Sequence, residues 1–191
     1  NSPFEIGDKI SMFGVASSAT NLKSGKIAYD VPFAPNGLVV EISFSQTNYS
    51  LADTYTSLDA TGTSKTIEGK LTYPVVRTRN ENLDAYTSFL SKNLRDKVES
   101  TNDLTEKYLE SVKVGLDYTK DYVAFNKNSK SSIDTYVTYG RLSFDDSADK
   151  TTDEAGANTN GNYSKINIDL AHDIAFTNQL ALESSLQLQY A

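Results

Sequence analysis

Along most of this chain apolar and polar residues alternate with a period of two. Residues 180–190 show it most clearly. Leu180, Leu182, Ser184, Leu186, Leu188 and Tyr190 fill one set of alternate positions, and Ala181, Glu183, Ser185, Gln187 and Gln189 fill the other. Successive side chains of a strand point to opposite faces of a sheet, so the pattern predicts a strand lying between an apolar and a polar environment. Similar stretches run from Ile10 to Ala16, Ile27 to Phe33, Leu38 to Ser45, Ile67 to Val75, Val112 to Thr119 and Lys165 to Leu170. Two more, around 83–93 and 133–144, alternate poorly and are expected to be strands without a clear division of faces. ESTNDLTEKYLESVK has local helical propensity, but the alternation from Tyr108 onward favours a strand. The chain therefore reads as about nine strands.

The connections between these stretches come in two kinds. APNG, RTRNEN, NKNSK and FTNQ are short. NYSLADTYTSLDATG, the polar stretch near Val98 to Thr105 and DDSADKTTDEAGANTNGN are longer. In an up-and-down meander alternate connections share a rim, so the short turns fall at one end and the long loops at the other. Outer-membrane barrels have this asymmetry, with short periplasmic turns and longer extracellular loops. Aromatic residues should then form two girdles at the bilayer interfaces. Phe33, Tyr73, Tyr122, Phe125 and Phe176 are expected at the short-turn rim, and Tyr49, Tyr55, Phe144, Tyr163 and Tyr190 at the other.

Composition supports a one-sided wall. Only 38% of the 191 residues are hydrophobic, yet there are twelve Tyr and eight Phe, and mean hydropathy is −0.44. A net charge of −7 leaves no basic stripe to neutralise phosphates, which argues against nucleic acid as a partner. Zero Cys removes disulfides, thiol catalysis and thiolate metal sites. No run approaches the roughly 18 apolar residues of a spanning helix. Asn1 stands where an initiator Met would be, so the chain reads as an excerpt of a longer protein.

Residues 49–96, with a tyrosine-containing strand end, Gly62 to Ser64 after a loop, and Tyr73-Pro74 before an arginine-rich turn, resemble the barrel of two-partner secretion transporters, the TpsB or hemolysin activation/secretion family. NSPFEIGD at the start is similar to an Asn-Pro-x-x-x-Gly-Asp barrel motif of that family, with Ser2 inserted between Asn1 and Pro3. The resemblance implies an outer-membrane protein of a Gram-negative bacterium with POTRA domains, a barrel, and a lumenal loop bearing a Val-Arg-Gly-Tyr motif. It implies work on a secreted TpsA-type exoprotein, a hemolysin or adhesin. Neither the POTRA region nor the loop motif is found in this sequence, so residues 1–191 are expected to be a partial transmembrane barrel with the remaining strands absent. The alternatives are a generic porin, a BamA-like assembly barrel, or a soluble all-β binding or adhesion module.

The expected fold is thus an all-β antiparallel up-and-down meander, part of a transmembrane outer-membrane β-barrel, in contact with membrane lipid. The expected site is its lumen wall. Lys26, Asp30, Glu41, Glu68, Lys70, Lys113, Asp117, Lys165, Asp169 and Glu183 share the polar parity and are the candidate lumen-facing residues. Mixed charges would keep a channel wet and could pair across strands. Catalysis, cofactors and metals are not expected. His172 is the only histidine, there is no P-loop, and the carboxylates of 145–154 lack the alternating frame of a calcium loop.

Overall fold

The computed structural model describes residues 2–17, 21–50, 60–100, 103–177 and 179–191. Among them, nine strands pair in sequence order into one antiparallel sheet. They are β1 (Lys9–Ser17), β2 (Leu22–Pro32), β3 (Val39–Ser50), β4 (Ala60–Arg77), β5 (Glu81–Val98), β6 (Asp103–Ala124), β7 (Lys127–Phe144), β8 (Gly161–Ala175) and β9 (Ala181–Tyr190). A short helix α1 (Ser147–Ala155) precedes β8. The sheet is open among the described residues, with β1 and β9 at its edges. The meander and its neighbour pairing are as the sequence predicts, and ESTNDLTEKYLESVK supplies the start of β6, with no helix among its described residues.

Turn chemistry explains the hairpins. β6 and β7 are joined by Phe125 and Asn126 alone, both in the left-handed region at φ 51° and 58°, the geometry that matches the twist of a two-residue hairpin. Between β2 and β3 the Phe33 N–H bonds to the Leu38 carbonyl at 2.8 Å, and Gly37 takes φ 86°. In β4 Pro74 cannot donate to the ladder, and the register shifts between Pro74 and Val76. That bulge leaves Val75 unpaired and hands the apolar row to Val76, opposite Leu83.

Three expectations need correction. The polar stretch near Val98 to Thr105 is not a long loop, because β5 runs through Val98 and β6 begins at Asp103. The acidic 145–154 segment is helical over most of its length. Asp146 caps α1 by accepting from the Ala148 N–H at 2.6 Å, and Asp153 accepts from the N–H groups of Thr159 and Asn160 at 2.7 and 2.8 Å, clamping the entry to β8. These bonds, with the Thr159 hydroxyl first, hold the Asp153 carboxyl below the usual carboxylate range. The long-loop girdle also differs from expectation: Tyr49, Phe144 and Tyr163 lie on the charged face. They pair with Gly62, Lys107 and Gly140, and the apolar-face aromatics near that end are Tyr108, Tyr139 and Tyr190. Tyr55 and the rest of 51–59 lie outside the described residues.

There is no second layer over either face among the described residues. Ala28 is the one buried hydrophobic residue among those described, whereas Met12, Ile42, Ile67, Val114 and Leu186 are between 51% and 76% exposed. A soluble protein hides an apolar surface of this size against another element. On β6 the aliphatic run Val112, Val114, Leu116 lies between Glu110 and Lys120, ten residues apart. Ser131 and Arg141, their partners on β7, bracket Ile133 to Tyr139 in the same way. Ten strand residues span about 33 Å, which at a tilt near 45° is roughly 23 Å of depth, close to the height of an outer-membrane barrel's apolar band.

Asp8, at the short-turn rim, is the one fully buried side chain of any size among the described residues. It accepts hydrogen bonds from the Ser2 hydroxyl, the Phe4 N–H (3.1 Å) and the Tyr29 hydroxyl (2.8 Å). Desolvation raises its pKa, but these bonds from Ser2, Tyr29 and Phe4 outweigh it and hold the carboxyl below its ordinary value. The segment before β1 is thereby tied to the end of β2. Gly7, at φ 83°, turns the chain and donates its N–H to the Ser2 hydroxyl at 2.9 Å.

Candidate functional site

The register places all ten sequence-predicted residues on one face. Asp30 stands opposite Glu41, and Glu41 opposite Lys70. From there the row continues through Ser88, Lys113, Thr138 and Lys165. Glu68 pairs with Ser43, Asp117 with Asp134, Asp134 with Asp169, and Asp173 with Glu183. Lys26 reaches Glu41 diagonally at 3.5 Å. The face is less uniform on β1, where Phe13 and Val15 share it with Lys9 and Ser11.

The centre of this face is an ordered array. One row is made of Asp84, Asp117, Asp134 and Asp169, each directly opposite the next on β5 to β8. The adjacent row is Tyr86, Gly115, Tyr136 and Asn167, and the one beyond it Ser88, Lys113, Thr138 and Lys165, continued on β4 by Lys70. Acidic and basic rows are four residues apart along each strand, about 13 Å. Both tyrosine rings meet the basic row, and Tyr86 also reaches the acidic one. Lys70 Nζ sits 4.7 Å from the Tyr86 ring centroid and Lys113 Nζ 4.5 Å from that of Tyr136, within reach of a cation–π attraction. The Tyr86 hydroxyl donates to Asp134 Oδ1 at 2.8 Å. Arg77 approaches Asp84 at 3.4 Å. A hollow of about 320 Å³ opens over Lys70, Tyr86, Lys113, Asp117 and Asp134.

Asp84, Asp134 and the tyrosines are absent from the sequence-predicted set because the faces of their strands are unclear from alternation. A signal was present. The two strands carry Asp-x-Tyr-x-Ser and Asp-x-Tyr-x-Thr (84–88, 134–138), and the antiparallel ones between and after them carry Lys-x-Gly-x-Asp and Lys-x-Asn-x-Asp (113–117, 165–169). Aligned head to tail, these give the rows. Like charges directly opposite destabilise a sheet, and a sequence that keeps four in line breaks a local rule where function is expected.

Glycines reveal which way the sheet curls. On the apolar face Gly69 has no atom within 4 Å of where a Cβ would stand, and Gly14 and Gly25 have only a carbonyl at 3.9 Å. On the charged face Gly62, Gly115 and Gly140 are each covered by the ring of the facing tyrosine, Tyr49, Tyr86 and Tyr163. Two of these rings cross a whole strand. Tyr49 passes over Gly62 to donate to Asp96 at 2.7 Å, as Tyr86 passes over Gly115 to Asp134. Small residues of the charged face, Ala28, Ser43, Ser88 and Thr138, are buried as well. A curled sheet crowds its concave face and opens its convex one, so the charged face is concave.

An antiparallel meander with an open aliphatic outside and a crowded, charged inside defines a segment of an outer-membrane-type β-barrel. The profile of the family described as haemolysin secretion/activation protein ShlB/FhaC/HecB matches residues 1–191, and the chain belongs to that family of two-partner secretion transporters. Its members are outer-membrane proteins that export and activate haemolysins and adhesins. No curated protein matches the chain.

Proposed function

We propose that residues 1–191 form part of the wall of an export pore in the outer membrane, with the charged face lining the lumen and the aliphatic face in lipid. The crowding of the charged-face glycines against the openness of Gly69 supports this reading most directly. Lys26, Asp30, Glu41, Glu68, Lys70, Lys113, Asp117, Lys165, Asp169 and Glu183 then line the channel, joined by Asp84 and Asp134. The lumen wall acts as a conduit for an unfolded haemolysin or adhesin and performs no bond chemistry. Its bands of opposite charge, bridged by Tyr86, whose hydroxyl holds Asp134 and whose ring meets Lys70, and flanked by the Tyr136 ring against Lys113, offer a passing chain polar contacts and little apolar surface to hold it. No nucleic acid partner fits a lumen of this composition.

Pore electrostatics test the assignment. Charges that line a pore set which ions enter it. Replacing Lys70, Lys113 and Lys165 together by Gln in the full-length protein should shift planar-bilayer reversal potentials toward cation selectivity while the protein still inserts. Normal insertion with unchanged selectivity would place these lysines away from the lumen.

A further inference from the structure

We propose that the short-turn end of the aliphatic face, on β6 to β9, holds one phospholipid, its phosphodiester on a row of polar side chains and an acyl chain in the groove above. The proposal rests on the reading that this face meets lipid. Lys120, Ser131, His172 and Ser184 stand directly opposite one another across four strands. Each lies three or four residues from the strand end nearest its short turn, and Lys120 and Ser131 mark the lower border of the apolar band. Ser131 and His172 are joined through their side chains, and Ser184 is tied to the His172 backbone. The Ser131 hydroxyl lies 3.0 Å from His172 Nδ1 and 3.1 Å from the Tyr122 hydroxyl, and the Ser184 hydroxyl donates to the His172 carbonyl at 3.1 Å. Lys120 is only partly neutralised by Glu81, at 3.6 Å with both side chains about two-fifths exposed.

Directly toward the bilayer centre the next row is Tyr118, Ile133, Leu170 and Leu186. Ser131, Ile133, Leu170, His172, Ser184 and Leu186 line a groove of about 310 Å³ between the two rows. Donors at headgroup depth beside an apolar trough match the two halves of a phospholipid: an ammonium, hydroxyls and an imidazole for the phosphodiester oxygens, aliphatic side chains for the tail. Hydrolysis is not part of the proposal. A nucleophile's histidine needs an orienting carboxylate, and the neighbouring Asp173 belongs to the opposite face, across from Glu183.

The test uses the full-length protein, delipidated in non-ionic detergent and titrated with phosphatidylglycerol, with retained lipid counted by native mass spectrometry. The wild type should retain phosphatidylglycerol over diacylglycerol of the same chains, which lacks the phosphate. Inorganic phosphate should compete poorly, since it cannot use the groove. Ser131→Ala with Lys120→Gln should weaken retention at least about tenfold, the scale of one lost charge-assisted hydrogen bond. A gel-shift assay confirms that each protein is folded. Equal retention of the two lipids by folded wild type overturns the proposal and leaves the membrane reading intact, as does full competition by free phosphate. Failure of the wild type to enter micelles overturns both.

Discussion

Val114→Arg should block or severely slow membrane insertion of the full-length protein, whereas Lys113→Gln, its neighbour in the chain, should insert normally. Val114 is 59% exposed on the aliphatic face, four residues from Glu110 and six from Lys120. That places it near the middle of the band. An arginine there has no lumen water and no partner, and the cost at a barrel's midplane is about 2 to 4 kcal/mol. Leu186→Arg should cost less, because Leu186 lies one row from Ser184 and its guanidinium can reach the interface. Insertion measured by heat-modifiable migration after refolding into vesicles gives the ranking. Equal effects at 113 and 114 would mean that the two faces do not meet different solvents.

The second large effect is expected at Gly115. A Cβ there would lie 2.6 Å from the Tyr86 ring and 2.8 Å from the Tyr136 Cβ, so Gly115→Ala must displace a ring that also holds Asp134. Overpacking of this kind costs about 1 to 3 kcal/mol. Gly69→Ala, with open space on the other face, should be neutral or stabilising by about 0.5 to 1 kcal/mol, since a strand glycine carries an entropic cost. Urea unfolding from vesicles compares them. The double variant Gly115→Ala with Tyr86→Ala should lose less than the sum of the single losses, because the clash and the ring vanish together. Strict additivity would show that the tyrosine does not lie over the glycine.

Much of this wall is legible in the sequence because a period of two survives wherever the two faces meet different solvents. β2, β3, β6, β8 and β9 keep it, and their faces follow from parity alone. β5 and β7 lose it for a physical reason. Tyr86, Leu90, Tyr136 and Leu142 stand on the charged face, where a tyrosine can lie over a strand glycine and bring its hydroxyl to a carboxylate. Such a ring counts as apolar in an alternation pattern and behaves as part of a polar wall. The same effect misplaces Tyr49 and Tyr163 in a lipid girdle. Each pairs with a glycine brought opposite only by strand pairing, a relation that no local window contains. Helix α1 is hidden for another reason. Its residues bury nothing, so no apolar stripe announces it. It rests on capping by Asp146 and on pairs such as Lys150 with Glu154 at 3.6 Å.

The central claim is that neighbouring residues of one strand face water and lipid in turn, with the charged face inside. The chain contains no native cysteine, so single cysteines introduced at 113 and 114 are unique within it. In outer membranes carrying the full-length protein, a membrane-impermeant, water-soluble thiol reagent should label Lys113→Cys and leave Val114→Cys unreacted, while a lipid-soluble maleimide labels Val114→Cys. Water-soluble labelling at 114 but not at 113 would invert inside and outside, and contradict the account.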